Sequence, residues 1–252
     1  MNGSHVAVDH VFVPILIAWS VADWLWFYPA FVRRIAAGVR GARKQLYWSI
    51  LAPEWALTAT ILWLWRAQGR AWPALFLSGA TPWRLGVGLA LAALLLGLLW
   101  TQRRAIFARP ELLQVVRRKI AHGEALLPHT EDERGWFAAL AVTAGVCEEL
   151  IFRGFVMWYF SVWTGPILAL VISSAIFGLG HIYLGLGQVP KTGAVGAALG
   201  GVVLLAGSLW PAMIIHAAID LNSGDLGFHA FSAGDAAPEP PGAAASDAGG
   251  GS

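Results

Sequence analysis

The chain has 252 residues, of which 57% are hydrophobic and 13% charged, with 14 Trp and a single Cys, and its mean hydropathy is +0.61. An average soluble domain carries about 25% charged residues, so this balance excludes an ordinary water-soluble globule. A formal net charge of +2 is too small to point to a nucleic-acid partner, and the lone Cys147 excludes both an internal disulfide framework and a cysteine-built zinc site.

The apolar residues fall in blocks of about 17 to 22, the length that crosses about 30 Å of hydrocarbon. This predicts an all-α fold, a polytopic transmembrane helical bundle of seven or eight spans. A short extracytoplasmic N-terminus, 1–10, precedes the first block at 11–32. It holds no Lys or Arg and no small-x-small cleavage site follows the block, so a signal peptide is not indicated. The second block, 46–65, is interrupted by Pro53 and Glu54; the third, 85–100, has no ionisable residue. In the polar segment that follows, Pro110 and Glu111 resemble a helix start. There Leu112, Leu113, Val116 and Ile120 recur at helical spacing beside Arg117, Arg118 and Lys119. Either a helix lying on the membrane face or a solvated linker helix fits that pattern.

Thr130-Glu131-Asp132-Glu133 is a capping-box pattern, which starts a fourth helix near residue 131 and carries it to about 163. Gly165-Pro166 breaks it. A fifth helix at 167–183, a Gly-rich loop and a sixth helix at 192–207 follow, and Trp210-Pro211 opens a last helix that ends near Leu221. The division is thus one membrane-embedded domain, 11–222, with its motif-bearing core at 127–222, and a disordered Gly/Ala/Pro-rich tail, 223–252. Most Trp residues sit near span ends, where they anchor to the interface. Arg33, Arg34, Arg40, Arg43 and Lys44 fill one loop, and seven Lys and Arg fill 101–135. The positive-inside rule then places the N-terminus outside and the tail in the cytoplasm, in a plasma (inner) membrane.

A charged side chain near the middle of a span costs about 2.5–3.5 kcal/mol on insertion scales, so such residues are functional candidates by default. They cluster in three strings. In Cys147-Glu148-Glu149-Leu-Ile-Phe-Arg153, Glu149 and Arg153 are i,i+4 neighbours that can neutralise each other, while Glu148 is displaced by about 100° and left free. Phe177 and His181 share a face one turn apart. His216 and Asp220 are again i,i+4, so imidazole and carboxylate can touch. Two His and an acid brought towards an unpaired Glu predict a hydrated polar cavity.

Glu148-Glu149-x-x-x-Arg153, Phe177-x-x-x-His181 and His216-x-x-x-Asp220, in this order on successive helices, resemble the CPBP family of CAAX-processing and bacteriocin-processing (Abi) intramembrane endopeptidases. The similarity covers about 127–223. The resemblance implies a helical bundle with catalytic residues converging inside the membrane: Glu148 as the base that activates water, helped by His181, and His216 with Asp220 beside the carbonyl oxygen. Glu149 and Arg153 would be a supporting ion pair and Phe177 a packing residue. Better-known members have Asn at the Asp220 position. An ionised Asp cannot donate to an oxyanion, so the expectation is that Asp220 accepts a bond from His216 and holds that ring in a donating state. A membrane-anchored peptide or protein is the implied substrate, the lipid bilayer the other partner, with no cofactor.

The nearest rival is a metal site, with Zn²⁺ held by Glu148, His181, His216 and Asp220, although no HExxH string occurs. A serine or aspartyl site lacks its partner residues, and Cys147 reads as a small buried packing residue rather than a nucleophile. A non-catalytic membrane immunity or adaptor protein and a proton-coupled transporter are the other classes. Asp23 and Glu54, inside the first two blocks, have no assigned role.

Overall fold

The computed structural model describes residues 8–232, and every regular element among them is helical. The tail expected at 233–252 and the first seven residues lie outside the described residues.

The first helical stretch, Asp9–Ala36, comprises α1 (Asp9–Ala22), a π-helical segment Asp23–Phe27 and α2 (Tyr28–Ala36). Asp9 anchors its start, accepting two hydrogen bonds from Arg70 at 3.0 and 2.5 Å. The Arg70 guanidinium lies 4.7 Å above the Trp158 ring. Gly38 and Gly41, both at positive φ, turn the chain into α3 (Ala42–Ala67). Pro53 and Glu54, which interrupt the apolar block, do not interrupt the helix: α3 runs straight through them. Pro53 has no N–H to donate to the Ser49 carbonyl, yet it does not stop a helix that is held on both sides of it. Arg43 donates to Glu133 at 2.9 Å and to the Ala125 carbonyl at 3.1 Å, and Trp55 Nε1 donates to Thr143 at 3.1 Å.

Helix α4 (Pro82–Phe107) begins with Arg84 donating to the Leu204 and Leu205 carbonyls at the end of α8 (Val189–Ala206). The amphipathic segment is helical as read, α5 (Pro110–Ile120). The fourth expected helix starts at Glu131 as α6 (Glu131–Glu148), with the Thr130 hydroxyl accepting from Glu133 N–H. The Glu133 carboxylate reaches back to His129 N–H rather than to Thr130. A second π-helical segment, Glu149–Val156, leads into α7 (Met157–Gly180). Gly165, at φ 75° and ψ 170°, breaks α7 where Gly165-Pro166 predicts it. The chain folds back there, so that Ser173 Oγ donates to the Phe152 carbonyl at 2.6 Å.

The last helix, α9 (Trp210–Ser232), does not end near Leu221, and residues 223–232 do not belong to a disordered tail. Two glycines in this stretch are contact points: a Cβ on Gly224 would overlap the Phe137 ring, and one on Gly227 would lie 3.0 Å from Leu127. Asp225 between them receives Arg134 at 2.5 Å and Arg103 at 3.1 Å. Tertiary contact outweighs the low helix propensity of glycine, about 1 kcal/mol per residue.

Four stretches are long and apolar enough to cross a membrane: Asp9–Ala36, Pro82–Phe107, Glu131–Gly180 and Leu186–Ala206. That is fewer than the seven or eight spans expected. The third of these is itself a hairpin at Gly165, while α3 and α9 are long but carry the ionisable residues that lower their mean hydropathy. The α6–α9 interface is the tightest relevant to function, because a Cβ on Gly145 would sit 2.7 Å from the Ala217 backbone nitrogen. Gly145→Ala is expected to destabilise the fold by about 1–3 kcal/mol, read as a lowered Tm in detergent; an unchanged Tm would show that α9 can move aside.

Candidate active site

Glu148 ends α6 and Glu149 opens the π-helical segment. Such wide turns recur at functional sites because they re-aim successive side chains. The Glu149–Arg153 pair forms as the i,i+4 spacing predicts, Nη1 to Oε1 at 2.7 Å, with side chains 0% and 1% exposed. Arg153 lies 4.1 Å over the Phe177 ring. Gly196 on α8 leaves the room, since a Cβ there would be 2.9 Å from both Arg153 Nη2 and Phe177 Cδ1. Phe177 also meets the His216 ring edge-on at 5.9 Å.

The partner of His216 differs from expectation. Its Nδ1 lies 2.8 Å from Glu149 Oε1, the same oxygen that binds Arg153. Asp220 instead approaches the far nitrogen, Nε2, at 3.5 Å, with Glu148 Oε2 3.7 Å from that atom. The i,i+4 spacing does bring Asp220 to the ring, but the hydrogen bond goes to the carboxylate that Arg153 has already fixed across the helix interface. A carboxylate only accepts, so Nδ1 carries the hydrogen and Nε2 faces Glu148 and Asp220. His181 follows the same logic. Its Nδ1 is 2.9 Å from the Phe177 carbonyl, which must accept, and in the neutral ring Nε2 is then the free acceptor.

Glu148 is not bonded to Arg153, and its Oε2 is buried without a hydrogen-bond partner. It lies on the wall shared by two cavities. One, of about 260 Å³, runs from His122, Gly123 and Leu127, in the segment after α5, to Glu148, His181 and Asp220. The other, of about 270 Å³, opens between the first helical stretch and α3, past Trp19, Asp23 and Leu57. His216 stands behind this wall and lines neither; Cys147, fully buried, lines neither as well.

Two residues without a sequence assignment belong here. Glu54 and Tyr183 line both cavities together with Glu148 and His181. Tyr183 read as the end of a span; it lies in a short 3₁₀ turn, stacked on His181 at 5.9 Å and tilted against Tyr28 at 4.8 Å. Desolvation, and next the charge of Glu148, raise its hydroxyl well above the ordinary phenol range, so it stays a donor. The only signal for Glu54 was an acid placed directly after a proline inside an apolar block. Asp23 reaches the second cavity alone. Among the described residues, no group of three or more His, Cys, Asp and Glu is placed to hold a metal ion.

No curated protein and no solved structure matches the chain. Residues 131–222, which carry all three strings and the converging side chains just described, match the model of a family described as type II CAAX prenyl endopeptidase Rce1-like. That match supports assigning the motif-bearing part of this membrane protein to the CPBP/CAAX family of intramembrane proteases.

Proposed function

We propose that this protein is an intramembrane endopeptidase that hydrolyses a peptide bond of a membrane-associated peptide, using water activated by Glu148 and His181. The observation that carries this reading is the free carboxylate of Glu148 on the shared cavity wall, beside a His181 whose Nε2 is left open. Glu148 takes a proton from water as the oxygen attacks the scissile carbonyl carbon, and His181 Nε2 orients that water by accepting its second hydrogen. His216, protonated on both nitrogens, donates from Nε2 to the developing oxyanion; Glu149, pinned by Arg153, holds the ring. Glu148 then returns its proton to the leaving amine. A positioned base supplies about 10²–10⁴-fold and an oxyanion donor about 10²–10³-fold.

Seven crossings fit this chemistry: Asp9–Ala36, α3, α4, the two halves of the hairpin broken at Gly165, α8 and α9. The ion pairs sort as alternate crossings require. Asp9–Arg70 and the Arg84 cap of α8 fall at one face, Arg43–Glu133 and Arg134–Asp225 at the other. The positive-inside rule makes the second face cytoplasmic.

Purified protein in lipid vesicles is tested against a farnesylated C-terminal peptide, a leader-type membrane peptide and a soluble control. Cleavage of a membrane peptide that resists chelators is the expected result. Stoichiometric zinc with chelator-sensitive cleavage would overturn the metal-free mechanism. No cleavage, with a cellular phenotype that survives both Glu148→Gln and His181→Ala, would favour a binding or immunity role.

Asp220 acts on the substrate side of His216 Nε2. Asp220→Asn is expected to keep activity within about tenfold, since the amide can donate to the oxyanion itself, whereas Asp220→Ala loses about 10²-fold or more. Equal losses in steady-state kcat/KM would show that the charge of Asp220 is what matters.

A further inference from the structure

Resting on the reading of Glu148 as the water-activating base, we propose that Glu54 of α3 is its proton-sharing partner, the two carboxyl groups holding one hydrogen between them. Glu54 lies outside the segment that matches the family, 131–222. Glu54 and Glu148 both line both cavities, and of the side chains that act on the Glu54 carboxyl, Glu148 acts most strongly. Glu54 Oε2 and Glu148 Oε2 are each buried with no donor.

Two ionised carboxylates are acceptors only and cannot satisfy each other; like charges in contact in a poorly hydrated site do not both ionise. One shared hydrogen resolves both conflicts. Glu148 meets His216 Nε2 at 3.7 Å on its far side, and the groups that face Glu54 itself offer no competing permanent cation. They are Cys147 and Glu148 from α6, Asp220 from α9, His181 from the end of α7, Tyr183 beyond it, Asp23 and Tyr28 from the first helical stretch, and Thr58 on its own helix. Neither cavity is lined by Lys or Arg. The bond from Trp55, the next residue, to Thr143 on α6 holds this part of α3 in place.

The proton balance closes. The pair starts with one hydrogen and gains a second when water, losing it, adds to the carbonyl carbon. The pair falls back to one when the amide nitrogen takes a proton and the C–N bond breaks, leaving an acid and an amine. Glu54 therefore acts through Glu148 as a positioning residue: it stabilises the ionised base between turnovers and shares the proton that the base has taken.

The test combines infrared spectra of the purified protein with pH profiles of kcat/KM. The wild type should show a buried protonated carboxylic acid at neutral pH, and the spectrum of Glu54→Gln should lack it. Glu54→Gln keeps a donor against Glu148, so its acid limb stays in place while kcat falls about tenfold. Glu54→Leu removes the donor; its acid limb moves to higher pH by about one unit and kcat falls about 100-fold. A merely structural Glu54 would leave the acid limb of Glu54→Leu unmoved. The proposal is overturned by that result, by an acid limb moving to lower pH in either variant, or by Glu54→Gln losing an ionised carboxylate band instead of an acid band. The infrared result does not depend on turnover. If Glu148→Gln remains active while Glu54→Gln loses the acid band, the reading of Glu148 fails and the shared proton stands.

Discussion

Glu148→Gln is expected to lower the rate of peptide cleavage by at least about 10³-fold while leaving the fold intact. The substitution is nearly isosteric, and Glu148 makes no hydrogen bond to Arg153 that the fold would lose. An amide cannot accept the proton of water, so the loss should fall on kcat with KM nearly unchanged, as expected for an interaction made only in the transition state. Unaltered Tm with abolished cleavage in lipid vesicles is the result that supports the assignment. If activity persists within about tenfold, another group is the base, and Glu54 and Asp220 are the next carboxyls on the cavity wall.

Arg153→Met should produce the largest loss of stability, about 3–5 kcal/mol. Glu149 is fully buried, its Oε2 already has no partner, and Arg153 is the permanent cation bonded to it. Removing the cation leaves a buried charge that His216 alone must neutralise. Pairing the change with Glu149→Leu removes both charges and should restore most of the stability, because apolar replacements of buried ion pairs are often neutral. Activity should not return, since His216 then lacks the acceptor that fixes its Nδ1 hydrogen. Thermal unfolding in detergent and cleavage assays on the three variants separate the two effects. A loss below about 1 kcal/mol in Arg153→Met would place the pair among solvated ion pairs, and recovery of activity in the double variant would show that His216 needs no orienting carboxylate.

Local regularities were readable along the chain because they are local in origin. The Thr130 cap, the Gly165 break and the i,i+4 pairing of Glu149 with Arg153 depend on residues within one or two turns of each other. The same logic ended the last helix too early, near Leu221, because the glycines at Gly224 and Gly227 answer to the Phe137 ring and Leu127 on other segments; contacts to α6 and to the 125–133 region likewise keep α3 whole at Pro53. Mean hydropathy marks four stretches and leaves out α3 and α9, into which Glu54, His216 and Asp220 bring ionisable groups.

The sequence by itself determined that the chain lies in a membrane, that its scarce charges gather in three strings, and that Glu148 is the glutamate left over by Arg153. Helical periodicity and the cost of charge in lipid suffice for that. Only the tertiary structure decided that Glu149 rather than Asp220 binds His216, that Asp220 faces the far nitrogen, and that Glu54 shares the walls of both cavities with Glu148. Glu149 and His216 are 67 positions apart and Glu54 and Glu148 are 94 apart, and which carboxylate meets which nitrogen depends on how α3, α6 and α9 are rotated against one another, an orientation that no single helix encodes.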